Sequence, residues 1–489
     1  MDSLYDPAAV ERRWQEAWEA EGLYAAGAGR RRDASFVICV PPPNVTGELH
    51  MGHALNGSIQ DVLIRWHRMR GFDTLWQPGY DHAGISTQNV VEKQLLAEGT
   101  SRREIGRDAF LERTWRWLET TGRTIMGQYR RLGASLDYSR ERFTMDDGYV
   151  ESVMTFFVRL WDAGWIYRAN RIVNWCPYHS TAISDLEVEH VEMDDILTTI
   201  RYPFADGDGG VAVATVRPAT LLADVAVAVH PDDPRYAHAI GREVIVPVVE
   251  RRVPVVADAR VDPAFGTGAV KVTPGHDPMD FDIGRDHGLE TLTVIGPDGR
   301  MVAEEFEGLE QAEASARVVA WADERGLVEK REPYRHSVGT CERCHSRIEP
   351  LVSPQWWCAM EGLAQPAIQA LRERQVRYHP ESQHRFAIES LEEAPDWCVS
   401  RQLWWGHQIP IWACPDGHLT CAWPPPDACG SAAPVSSSAT PTCSIRGSRP
   451  RCGRSRRSGG RPTPPSSTAT TAATSTRPRA RSSASGRTG

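Results

Sequence analysis

The sequence predicts an α/β protein in which a parallel sheet is interrupted by a β-rich insertion. Three observations carry that expectation: a strand–turn–helix run between Ser35 and Gly71, a change at about Asp195 to short alternating strands, and helix-like segments that return after Glu304.

Along the chain, Asp6 can cap and Pro7 can start a first helix over residues 6–22, where Val10, Trp14 and Trp18 recur every four residues. SFVICV, residues 35–40, is a short apolar strand ending at a proline run. HALNGSIQDVLIRWHRMRG then has helical spacing at Leu55, Ile59, Val62, Ile64 and Trp66, and Gly71 closes it. A second strand near DTLWQ and a helix from about Thr87 to Ala97 continue the β–α–β–α order that a parallel sheet needs. After Asp195 the predicted strands are TTIRYPF, GVAVATV, ADVAVAV, EVIVPVV, RVPVV, GAVKVT and LTVIG, with turn signals such as DGDGG, HPDDP and GPDGR between them.

The 489 residues suffice for two or three domains. No run of 18 apolar residues occurs and the start, MDSLYDPAAVERRW, has no apolar leader, which points to a cytoplasmic location and away from membranes. The 11 cysteines, several in C-x-x-C or C-x-x-H spacing, suit reduced thiolate ligands better than disulfides. Composition changes abruptly at Ser431. The segment 431–489 has 11 of the 55 basic residues, none of the 64 acidic ones and no aromatic, so residues 1–430 keep 44 basic against 64 acidic side chains. The tail is expected to be disordered, and any nucleic acid must meet local basic patches on an acidic body.

The stretch PPPNVTGELHMGHALNGSIQD, Pro41 to Asp61, joins the proline run to the second helix. A helix N-terminus at a strand end presents unpaired N–H groups and partial positive charge, which favours anions. Gly47 and Gly52 let a phosphate approach the backbone, and His50 and His53 can donate to its oxygens as charge develops in phosphoryl or nucleotidyl transfer. Taken alone, His-x-Gly-His reads equally as two capping or core histidines. Cys176-x-x-His179 and Cys341-x-x-Cys344 flank the insertion, so one tetrahedral zinc could join its two stems. Unrelated reduced cysteines are the competing reading, His345 competes as a ligand, and Cys414, Cys421 and Cys429 hint at a second knob.

PPPNVTGELHMGHALN and WQPGYDHAGISTQ, together with NWCP, ATVRP, GTGAVKVTP, PQWW and DWCVSRQLWWGHQIP, resemble the class I aminoacyl-tRNA synthetases over residues 1–415, and within them the valine-specific branch. The resemblance implies a Rossmann-like nucleotide-binding domain whose N-terminal half is 1–194, an inserted β-rich editing domain at 195–335, and a return of the stem and catalytic domain at 336–430. It implies ATP with Mg2+, L-valine and a valine tRNA as substrates and partners of a monomer, with structural zinc. His50, Gly52 and His53 would then serve ATP, while Pro42, Asn44 and Asp81 would hold the amino acid. A carboxylate such as Asp81 pairs strongly with an ammonium in a dry pocket, although PGYDHAG alone also reads as a surface turn.

A pocket that accepts valine cannot strongly reject threonine, its hydroxyl isostere, a known property of this branch, so a second, hydrolytic site is expected. By resemblance it takes Arg217 and Thr220 from TVRPAT, Lys271 and Thr273 from VKVTP, and Asp277 and Asp280 from GHDPMD, acting by orienting ester and water. Ala219 departs from the Glu common in the family. The family's second signature, a lysine-bearing loop after the insertion, is also absent: no lysine follows Lys330. Starting each codon of Thr442–Ser448 at its third base permits Val-Leu-Asp-Thr-Trp-Phe-Ser, and the family shows Asp-Thr-Trp-Phe-Ser soon after GHQIP. The tail is therefore read as a frameshift near Gly430, with a basic nucleic-acid-binding tail as the alternative. Impaired ligation is expected of this chain, with an editing-only deacylase or a zinc-stapled RNA-binding fragment as the alternatives.

Overall fold

The computed structural model describes residues 6–27, 31–414 and 417–426, so Cys429 and the tail with its frameshift reading lie outside the described residues. Within them the chain is mixed α/β with several small sheets and divides into two compact units, 6–83 with 112–149, and 84–111 with 150–426. No helix of the described residues is long and apolar enough to cross a membrane.

The first unit starts with α1 (Pro7–Ala20), where the Val10 N–H reaches the Asp6 carbonyl at 3.2 Å. β1 (Arg31–Cys39) and β2 (Phe72–Gln77) pair in parallel from Ser35↔Asp73 to Cys39↔Gln77, with α2 (Met51–Met69) as the crossover. This is the predicted strand–helix–strand unit. Trp76 and Ile64 are fully buried, and the Trp76 indole donates to Gln60 on α2 at 3.0 Å. Gly71, with φ of +84°, turns the chain from α2 into β2 in a backbone conformation that side chains disfavour. A short parallel bridge, β3 (Gly79–Tyr80) with Arg142–Phe143, extends the pattern.

One expectation changes in detail. The apolar stripe of α2 is helical, but of its predicted members only Ile64 is buried; Leu55, Ile59, Val62 and Trp66 are more than half exposed, as are Met51 and Met69. Gln60 meets the sheet through Trp76, His67 meets it through Phe36, and Ile64 is buried, whereas the rest of the predicted apolar stripe lies on an exposed face of the helix.

In the second unit, α3 (Gly84–Ala97) begins three residues before the predicted start and buries Ile85, Val91 and Leu95. Strand Val188–Pro203 pairs antiparallel with Gly210–Thr215 on one side and Val328–Cys341 on the other, so Val188 lies opposite Cys341. A four-stranded sheet follows in the order Glu243–Ile245, Arg252–Ala257, Ala226–Val229, Ala269–Val272. An antiparallel sheet of Trp397–Cys398, Glu349–Cys358, Ile166–Cys176 and Thr181–Ile183 completes the frame. Val173, Trp175 and Trp357 from this last sheet share one apolar core with Ile200, Val213, Val227 and Val255.

Two predicted strands differ. EVIVPVV ends as a strand at Ile245, because Val248 and Glu250 adopt positive φ and reverse the chain. LTVIG is no strand: the Val294 N–H is taken by His276 Nε2 at 2.9 Å, and only Ile295 bridges, to Met301.

Candidate functional site

His50 is the N-cap of α2. Its Nδ1 accepts the Gly52 N–H at 3.1 Å, and its own N–H donates to His53 Nδ1 at 3.2 Å, a reciprocal cap with the ring centroids 3.9 Å apart. A neutral ring that accepts at Nδ1 carries its proton on Nε2, so the cap sets both rings as Nε2–H donors at a helix N-terminus. The capping and ligand readings of the motif are therefore compatible. A Cβ on Gly52 would lie 2.8 Å from His50 Cε1, so glycine permits this ring position. Two donors hold the preceding loop: the Trp117 indole to the Val45 carbonyl at 2.8 Å, and the Leu49 N–H to Gln128 Oε1 at 2.7 Å.

Asn44 and Asp81 form an isolated parallel bridge, with the Asp81 N–H on the Pro43 carbonyl at 2.9 Å and the Val45 N–H on the Asp81 carbonyl at 3.1 Å. Pro42 and Asn44 are exposed beside it. The Asp81 carboxylate accepts from Thr144 at 2.9 Å and lies 3.1 Å from His82 Nδ1. Burial alone would raise its pKa, but these hydrogen bonds and a backbone N–H outweigh burial and hold it below the usual carboxylate value. Asp81 is thus an anion with 32% of its side chain exposed. Thr144 was not predicted, and nothing in its local sequence marks it.

The metal half-sites occupy two strand ends. Cys176 closes Ile166–Cys176, and His179 sits in the turn before Thr181–Ile183; Cys341 closes Val328–Cys341, and Cys344 sits in the turn that follows. One ligand atom from each of the four lies within 4.8 Å of all the others, and Cys176 Sγ is 3.5 Å from Cys344 Sγ. His179 Nε2 is buried with no hydrogen-bond partner, and the thiols form no disulfide. Thiol hydrogen bonding raises Cys176 but holds Cys341 and Cys344 below the ordinary thiol value. Three thiols and an imidazole so arranged fit a closed tetrahedral zinc site. His345, the competing ligand, is exposed beside Glu189 and outside the cluster. Cys414 and His418 approach to 3.4 Å, but among the described residues they form no group of three ligands with Cys421.

The six residues assigned to hydrolysis fall into two linked groups. Arg217 and Thr220 line a cleft of about 570 Å³ with Ala219, Ser315, Arg331 and Arg347. The Thr220 hydroxyl donates to the Arg217 carbonyl at 2.9 Å, and the Arg217 guanidinium donates to Glu349 and to the His276 carbonyl. Ala219 is buried, its N–H on Ser315 Oγ.

Lys271, partly buried, instead joins buried Thr273 and Asp280 in a network outside that cleft's lining. Lys271 Nζ donates to Thr273 Oγ1 at 2.5 Å, and the Thr273 N–H donates to Asp280 Oδ2 at 2.8 Å. Asp277 caps the helix Pro278–Asp286, accepting from the Met279 and Asp280 N–H groups. Burial and the neighbouring Asp277 push the Asp280 carboxyl up to about 7, and its Oδ1 is buried without a partner. Burial, with Arg217 and Lys271 nearby, pushes His276 down to about 3.

Sequence reading missed Asp224, which is fully buried and accepts from Tyr202 at 2.6 Å, Thr273 at 2.5 Å and Lys271 at 3.2 Å. An acid inside the apolar run LLADVAVAV was the available signal, since buried acids demand partners.

Comparison with known proteins adds three findings. The family model for "tRNA synthetases class I (I, L, M and V)" matches residues 13–422. Valine–tRNA ligases of Geobacter sulfurreducens and Carboxydothermus hydrogenoformans are 49% and 50% identical over 88% and 85% of this chain, which cover 49% and 47% of those proteins. The chain thus spans about half the length of the curated relatives it matches. A solved LeuRS–tRNA–LeuAMS complex of Agrobacterium radiobacter K84 superposes over 86% of this chain and 52% of that one, with a TM-score of 0.40 and 18% identity.

Proposed function

The chain belongs to the class I tRNA synthetases of the isoleucine, leucine, methionine and valine group, and from that membership we propose that its chemistry is valine–tRNA ligation with hydrolytic removal of misattached threonine. In this reading residues 1–194 are half of a Rossmann-like nucleotide-binding domain, 195–335 the editing insertion, and 336–430 the return of the stem.

The observation that carries the proposal is the Asp81 carboxylate, kept anionic by Thr144 and His82 and bridged to Asn44, close in sequence to a helix N-terminus capped by His50 and His53. Asp81 pairs with the valine ammonium, with Asn44 and Pro42 beside it. The valine carboxylate then attacks the α-phosphorus of Mg2+-bound ATP, the bond to pyrophosphate breaks, and valyl-adenylate forms. His50 and His53 donate from Nε2 to the phosphates as negative charge moves onto the leaving group. The terminal ribose hydroxyl of tRNA next attacks the acyl carbonyl and AMP leaves. In the insertion, water adds to the carbonyl of a threonyl ester, the ribose oxygen departs with a proton, and threonine is released. Cys176, His179, Cys341 and Cys344 would hold a zinc that ties the insertion's stems together.

Equilibrium dialysis of valine and ATP against the chain tests the reading. Asp81→Asn should weaken valine at least about tenfold and spare ATP, and His50→Ala with His53→Ala should do the reverse. Valine binding that ignores Asp81 would sink the assignment. A second reading is hydrolysis without ligation, for which the insertion carries all six residues assigned to the hydrolytic site. Threonyl-tRNA hydrolysis without valine-dependent ATP–pyrophosphate exchange would select it.

A further inference from the structure

We propose that Glu349, which lies outside the insertion, is the positioning residue of Arg217: its buried carboxylate holds the Arg217 guanidinium at the wall of the cleft, where it can meet an oxygen of the esterified tRNA end. The proposal rests on the hydrolytic reading of that cleft.

Glu349 opens the strand Glu349–Cys358 opposite Trp175, and its side chain is 3% exposed. A carboxylate so buried depends on donors. One oxygen accepts from Arg217 and the other from Gln311 Nε2 at 2.9 Å, and both donors line the cleft. Glu349 itself is not among the lining residues, so it acts on a substrate only through them. The frame around it is fixed by further bonds: the Trp175 indole donates to the Pro297 carbonyl at 2.7 Å, and Gln311 also donates to the Gly299 carbonyl at 2.9 Å.

Arg217 needs such a hold. Its backbone is set, with the N–H on Thr215 Oγ1 at 3.0 Å and the carbonyl under the Thr220 hydroxyl at 2.9 Å. The long side chain, 26% exposed, would otherwise keep rotamers that a substrate must freeze. Of its five guanidinium N–H groups, one goes to Glu349 and one to the His276 carbonyl at 3.3 Å, and among the described residues the other three have no partner. A planar fork bonded at one edge presents its remaining donors in a fixed plane, which suits a phosphate or ester oxygen.

The test uses the full chain and threonyl-tRNA. Glu349→Gln keeps the shape and removes the charge, and it should lower kcat/KM for hydrolysis about tenfold. Because Glu349 acts through Arg217, the same change made in Arg217→Ala should cost less than about twofold, a non-additivity that a merely structural carboxylate would not give. Rotation of the Arg217 guanidinium, followed by NMR, should be severalfold faster in Glu349→Gln than in wild type. Equal losses in the two backgrounds, an unchanged kcat/KM in folded Glu349→Gln, or equal rotation overturns the proposal; a lowered melting temperature alone does not support it. Should Glu349→Gln fail to fold, Gln311→Ala, which removes the donor to the other carboxylate oxygen, should lower kcat/KM about threefold in wild type and not in Arg217→Ala. A loss in both backgrounds, or in neither, overturns the proposal. If wild type hydrolyses nothing, the hydrolytic reading fails, and the guanidinium rotation still decides whether Glu349 holds Arg217.

Discussion

Gly52 is where backbone freedom and ligand chemistry meet, because a methyl there would sit 2.8 Å from the ring that caps the helix. Gly52→Ala should leave thermal stability within about 1 kcal/mol, because the helix preference for alanine, about 1 kcal/mol, is offset by loss of the His50 cap. ATP affinity should nevertheless fall about tenfold as His50 is pushed off the N-terminus, a divergence that a melt and a titration read together. Asp280 makes a second prediction through its proton. Its carboxyl titrates near 7 in the fold against 3.8 ordinarily, so between these values the folded chain holds a proton that the unfolded chain has lost. Stability from this group is therefore full below about pH 4 and declines as pH rises toward 7, by at most about 1.4 kcal/mol per unit. Asp280→Asn should remove that slope, so urea midpoints should favour the variant more at pH 8 than at pH 5.

The two metal knuckles were legible because C-x-x-H and C-x-x-C spacing fits a turn between strands, and Cys176 and Cys341 each end one. What the spacing could not settle was the choice between Cys344 and His345, which the turn decides by turning Cys344 into the ligand cluster and leaving His345 exposed beside Glu189. Metal analysis should find one zinc per chain, lost in Cys344→Ser and kept in His345→Ala. Chelation should lower the melting temperature by roughly 5–10 °C, the effect of a few kcal/mol. The α2 stripe teaches the opposite lesson. Period reports that a face is apolar, not what covers it, and Leu55 and Ile59 remain 66% and 58% exposed. Leu55→Gln with Ile59→Gln should each change stability by within about 0.5 kcal/mol and reduce light scattering of the purified chain.

Long-range partners were illegible in the sequence, and they decide where the insertion ends as a folding unit. Arg217 reaches Glu349, 132 positions away, and Trp175 donates to the Pro297 carbonyl at 2.7 Å across 122 positions. The pattern shifted to short alternating strands at Asp195, which made 195–335 the expected insertion, yet Val173, Trp175 and Trp357 pack into the same core as Ile200 and Val227. The ladder Val188–Pro203 with Val328–Cys341 also runs past that border to the cysteine ligands. A fragment of residues 195–335 would leave this core open on one side and carry no metal ligand, whereas 166–358 keeps the paired strands Ile166–Cys176 and Glu349–Cys358 and all four ligands. The longer fragment should therefore melt in one cooperative transition that chelation weakens, and the shorter one should bind a hydrophobic dye and melt broadly. Equal cooperativity in the two would mean that the sheet beneath the insertion adds nothing to its core, against the shared burial of Trp175 and Trp357.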